Sequence, residues 1–138
     1  MINSRDLDQL TPVVAALAQA FVAACAKAGV PVLITCTYRD DEYQNTLYAQ
    51  GRTLPGKVVT RAKGGESMHC YRIAFDYVPL VNGKPEWSKD ALWARTGFIG
   101  EQLGLTWGGR WSSIVDKPHM QFTQGKSIAQ LKALRVLT

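Results

Sequence analysis

Apolar residues recur at Val13, Val14, Leu17, Phe21, Ala24 and Cys25, the three-and-four spacing of one helix face, behind Thr11-Pro12 and ahead of Gly29. Proline suits a first helical position because its missing N–H bonds nothing there, and glycine suits the stop because it accepts a left-handed backbone. Val30 to Thr37 is short and β-branched, which predicts a buried strand. Asp40 or Asp41 then caps a second helix ended by Gly51, Asp41 and Gln44 having the spacing of a capping box. From Arg52 to Glu66 no period is visible, which predicts a long loop carrying a short strand at Val58–Thr60; loops of that length in small domains are often functional. Ile73–Val78 is the strongest strand, and its period of two puts Ala74, Asp76 and Val78 on one face.

Val81–Pro85 reads as a turn. Ser88 reads as the cap of a third helix striped by Leu92, Thr96, Ile99 and Leu103 and stopped by Gly104. A short extended piece, Thr106-Trp107, precedes a strand His119–Phe122 in which His119 and Gln121 face one way. A last helix capped by Ser127 is expected to bury Ile128, Leu131 and Leu134 and to expose Lys132 and Arg135. Strands and helices do not alternate regularly and no glycine-rich phosphate loop is present, so the expected class is α+β: a small, mainly antiparallel sheet with helices packed on it.

Within that pattern Asp76 is out of place, since a carboxylate among Ala74, Phe75, Tyr77 and Val78 is costly unless paired or bound to a cation. The other reading is an edge-strand residue facing solvent. The chain has only two histidines, His69 and His119. A catalytic zinc needs about three protein ligands and one open position. His69, Asp76 and His119 supply that set, with Asp116 left free as a proton acceptor. No tightly spaced zinc motif such as H-E-x-x-H occurs, so spacing alone leaves hydrogen-bonded structural histidines equally open. Cys70 is a rival ligand or a core residue. Arg39 is a substrate clamp and oxyanion stabiliser, or a salt-bridge partner for Asp40 and Asp41. Trp107 and Trp111, beside paired glycines, line a cleft or fill a core.

Length and charge narrow the classes. The 138 residues suit one domain, 1–138, with no second module. Three cysteines cannot all pair, which argues for a reducing compartment. The polar start Met1–Asp6 is no signal peptide, and no run is long enough to span a bilayer. A net charge of +5 favours polyanionic surfaces. The cations are scattered and carry no nucleic-acid signature, so no nucleic-acid partner is expected.

Ser67-Met68-His69-Cys70-Tyr71-Arg72-Ile73-Ala74-Phe75-Asp76 resembles the S-x-H-x-x-G-x-A-x-D motif of zinc peptidases that include D-Ala-D-Ala carboxypeptidases and L-alanyl-D-glutamate endopeptidases, many of the latter phage endolysins. Thr37-Tyr38-Arg39 with Gln44, the loop Gly51-Arg52-Thr53 and Pro55-Gly56, Trp107-Gly108-Gly109 and Asp116-x-Pro118-His119 resemble the endopeptidase branch. The resemblance implies one zinc ion on His69, Asp76 and His119, Asp116 as general base, and substrate contacts from Ser67, Arg39 and Trp107. It implies a monomeric peptidoglycan endopeptidase cutting between L-Ala and D-Glu of the stem peptide, with a carboxypeptidase as the enzyme alternative. Net positive charge, with Lys126, Lys132 and Arg135, would aid contact with the anionic wall or outer membrane. The expected location is the host bacterial cytoplasm until a holin-type route opens. Arg72 stands where the motif has glycine; a side chain there costs about 1–2 kcal/mol if the backbone is left-handed, and a cation beside the zinc would impair catalysis, leaving a zinc-stabilised wall-binding module.

Overall fold

Phe21 meets Phe75 and Tyr77 with ring centroids 5.7 and 4.8 Å apart, fixing helix α1 (Pro12–Lys27) to strand β2 (Ala74–Val81). The computed structural model describes residues 1–137. Between these elements lie β1 (Val32–Cys36) and α2 (Asp41–Ala49); after β2 come β3 (Lys84–Pro85), α3 (Asp90–Gln102), β4 (Thr106–Trp107), β5 (His119–Gln121) and α4 (Ile128–Leu137). The sheet runs β1-β2-β5-β4 with β3 hairpinned onto β2, every pairing antiparallel. Asn82 and Gly83 at the hairpin tip both have positive φ, the backbone a two-residue turn requires. An apolar cluster joins α1, the inner face of the sheet, Trp93 of α3 and Trp107 of β4. The α+β expectation therefore holds, and the opposite face of the sheet is left to carry polar side chains at Asp76, His119 and Gln121.

Some local expectations fail for identifiable reasons. Of the two candidate caps of α2, Asp40 is the one that serves, accepting from the Tyr43 amide at 2.8 Å, and the capping box expected from Asp41 does not form. Gln44 is buried and donates to the Ala62 carbonyl instead of closing a capping box. Ser88 bonds Glu86, and α3 starts behind Lys89 without a side-chain cap. Residues 58–60 form no strand, and Val58 and Val59 stay exposed. Val13 and Leu134 are also exposed, because the groove between α1 and α4 is left open. Ser127 does cap α4, reciprocally with Gln130. Among the described residues no helix is long and apolar enough to cross a membrane.

Candidate metal centre

Asp76 lies opposite His119 in the β2–β5 ladder and opposite Cys36 across a bulge in the β1–β2 ladder. Strand register thus places its carboxylate at the middle of the sheet. His69 arrives from the 3-10 turn Met68–Tyr71 just ahead of β2, whose first amide is satisfied by the Ser67 hydroxyl, which accepts from His69 N–H at 3.3 Å. His69 Nε2 is 3.1 Å and His119 Nδ1 3.4 Å from the same oxygen, Asp76 Oδ1. The two rings stand edge to face, centroids 5.1 Å apart.

The outer nitrogens decide what these atoms are for. A carbonyl can only accept, so His69 Nδ1, 2.9 Å from the Thr37 carbonyl, carries the proton and neutral Nε2 presents a lone pair to Asp76. His119 Nε2 donates to Gln121 Oε1 at 2.8 Å, which turns the Nδ1 lone pair to the same point. Two lone pairs and a carboxylate oxygen face one another with no proton between them in the neutral state, an arrangement a cation relieves. Tetrahedral ligands about 2.0–2.1 Å from zinc sit roughly 3.4 Å apart, close to both separations found here. The donor set therefore fits zinc. Replacing Gln121 by Leu is expected to weaken zinc affinity roughly 10–100-fold, the range for outer-shell partners, while Gln121→Glu retains it. Chelator competition measures this, and an unchanged affinity in the Leu variant refutes the orienting role.

Charge is shared around the same carboxylate. Although burial resists its ionisation, the two histidines hold Asp76 well below the usual carboxylate range. Burial lowers His69, whereas for His119 the bond and charge of Asp76, with Asp116, overcome burial and raise it. Arg39 reaches Asp76 Oδ2 at 3.8 Å rather than pairing with Asp40 or Asp41; Asp40 caps α2 and Asp41 binds Arg135. The buried Arg39 Nε has no hydrogen-bond partner among the described residues. Asp116 Oδ2 lies 3.9 Å from His119 Nδ1, and burial, reinforced by the Asp76 charge, raises its pKa. Its backbone is held on both sides: the amide donates to Gly108 O at 3.0 Å and the carbonyl accepts from His119 N–H at 3.2 Å. Gly108 must lack a side chain, since a Cβ there would fall 2.4 Å from the Asp116 carbonyl.

These groups line a cleft of about 380 Å³ with Gln44, Ser67 and Trp111. Trp111 packs against His119 with the rings tilted by 44° and centroids 5.2 Å apart. Trp107 does not line the cleft; it is a core residue whose indole N–H donates to Lys117 O at 2.8 Å, steadying the loop that carries Asp116. Cys70 is buried away from the donor atoms. Cys36, which the sequence reading did not single out, lies beside His69 and Asp76. Burial pushes its thiol up to about 11, and it contacts the occupied Nδ1 side of His69 at 3.7 Å, so it packs behind the centre as a thiol. Only the chain pairing of β1 with β2 reveals it.

Arg72 is left-handed, φ 64° and ψ 28°, as a motif glycine would be, yet its side chain turns away from the cleft. Its guanidinium stacks 3.8 Å from the Tyr38 ring centroid and donates to the backbone carbonyl and side-chain oxygen of Gln9. Arg72 is thus not the cation expected beside the candidate metal centre. Arg72→Ala is expected to cost about 1–2 kcal/mol through lost contacts. Arg72→Gly should recover about 1 kcal/mol of that by relieving the backbone. Both should keep wild-type turnover; urea unfolding and a rate assay check the pair.

Fold and site together define a class, a small antiparallel sheet that carries a candidate metal centre at His69, Asp76 and His119. The family profile described as D-alanyl-D-alanine carboxypeptidase matches residues 60–122. The peptidoglycan L-alanyl-D-glutamate endopeptidase CwlK of Bacillus subtilis (strain 168) is 37% identical over 121 residues, 81% of this chain and 72% of that protein. The L-alanyl-D-glutamate peptidase of Listeria phage A118 is 30% identical over 96 residues, 68% of this chain but 31% of the phage protein. The crystal structure of the Serratia marcescens L-Ala D-Glu endopeptidase ChiX superposes with TM-score 0.65 at 19% identity, covering 88% of this chain and 89% of that one. This chain belongs to the D-alanyl-D-alanine carboxypeptidase and L-alanyl-D-glutamate endopeptidase family of peptidases.

Proposed function

We propose that this chain is a zinc-dependent peptidoglycan endopeptidase that hydrolyses the L-Ala–D-Glu bond of the stem peptide. The observation that carries the chemistry is the convergence of His69 Nε2 and His119 Nδ1 on Asp76 Oδ1, with Asp116 3.9 Å from His119. The choice of bond rests on similarity to CwlK, named for that cleavage. His69, Asp76 and His119 would hold zinc, which would supply Lewis acidity to a hydrolytic water near neutral pH. Asp116 takes the proton of the attacking water at its carboxylate and returns it to the departing amine of D-Glu. A raised pKa suits both halves of that exchange. Arg39, with unspent donors at the cleft wall, holds the scissile carbonyl oxygen as negative charge develops on it. Ser67 borders the cleft while fixing the His69 turn.

Positive net charge favours contact with the anionic wall. Release from the cytoplasm through a holin-type opening is the matching route, supported by the likeness to a phage peptidase. Digestion of purified peptidoglycan separates the readings: new N-terminal D-Glu is expected, whereas released D-Ala identifies a carboxypeptidase. Wall binding at full zinc occupancy without any cleavage identifies a binding module.

A further inference from the structure

Asp116 has a second neighbourhood. Beyond it the catalytic cleft continues into a chamber of about 510 Å³ lined by Val58, Val59, Arg61, Ala62, Ser113 and Ile114. Val59, Thr60, Ala62 and Asp116 belong to both spaces, so the two are one continuous groove. The walls come from two loops, and both present aliphatic side chains to solvent: Val58 is 55%, Val59 56% and Ile114 48% exposed. Aliphatic side chains grouped along one groove offer an apolar contact surface to a bound chain. Arg61 is the cation among the chamber's lining residues, and it makes no ion pair among the described residues.

Resting on the endopeptidase reading above, we propose that this chamber is the subsite for the stem-peptide residue that follows D-Glu, and that it selects an aliphatic side chain ending in a carboxylate. Direction comes from Asp116: the group that protonates the leaving amine lies on the leaving-group side of the scissile bond, and the chamber opens from that side. Chemistry comes from the lining: valine, alanine and isoleucine match a methylene stem, and the guanidinium matches its acidic end.

The test compares two synthetic L-Ala-γ-D-Glu peptides extended by either meso-diaminopimelate or L-lysine; the side chain of the first ends in a carbon bearing a carboxylate beside an ammonium, that of the second in an ammonium alone. With the zinc-loaded protein, affinity by calorimetry and kcat/KM should both favour the diaminopimelate peptide, about fivefold, the range for a solvent-exposed ion pair. The ratio should shrink as salt rises. Arg61→Glu should abolish or invert it. Arg52→Glu makes the same charge change on the same loop outside the chamber and should keep the wild-type ratio. Equal affinity of wild type for both peptides, or equal loss of the ratio in both variants, overturns the subsite. Discrimination in binding without cleavage of either peptide supports the subsite and overturns the endopeptidase reading instead.

Discussion

Asp116→Ala is expected to lower kcat roughly 10²- to 10⁴-fold, the usual share of a positioned acid-base group, while zinc content stays at the wild-type level. The loop that carries this residue is fixed through its backbone, by the Gly108 carbonyl and the His119 amide, so truncating the side chain leaves His119 in place. Asp116→Asn sharpens the result because it keeps the shape and the hydrogen-bonding capacity but accepts no proton; it should be nearly as inactive. Metal analysis beside a turbidity assay on outer-membrane-stripped cells reads both quantities. Loss of zinc together with lysis would make Asp116 a ligand and not a base.

Asp76→Ala is expected to be worse for the centre and worse for the fold. It removes the oxygen that both imidazoles address, so zinc affinity should fall by more than the roughly 100-fold upper range of outer-shell changes. In chelator it should also cost about 3 kcal/mol, because Arg39 loses its carboxylate partner and His119 the nearer of its two counter-charges. The pH dependence follows from the directions of the shifts. Asp76 is held below its ordinary range, so its contribution is present above about pH 4 and fades as pH falls toward the lower folded-state value. His119 is held above its ordinary range, so its contribution is complete below about pH 6.5 and fades as pH rises through the higher folded-state value. The stability gap between wild type and variant should therefore be widest between about pH 4 and 6.5. Urea titrations across pH test this, and a gap that does not vary refutes the shared-charge picture.

The core of this arrangement was legible because period two is a strong signal. Alternation put Asp76 on a face with Ala74 and Val78, and put His119 and Gln121 together on the next strand. What alternation does not encode is which strand lies beside which: Cys36 enters the site only through the β1–β2 register. Side-chain direction was equally hidden at Arg72, where the left-handed backbone was foreseeable from the motif but the stack on Tyr38 was not. Trp107 shows the converse, a residue next to the chemistry in sequence whose ring is claimed by the core, over Gly97 and Gly109, because those glycines leave room for it.

The one-to-one opposition of Asp76 and His119 makes catalytic competence a report on strand alignment during folding. A slip by a single residue between β2 and β5 would send the carboxylate through to the hydrophobic layer occupied by Phe75 and Tyr77, dissolving the centre and the interior in one event. Misaligned molecules are thus unable to accumulate as folded but inert impostors, and the specific activity of a refolded preparation should track its native fraction.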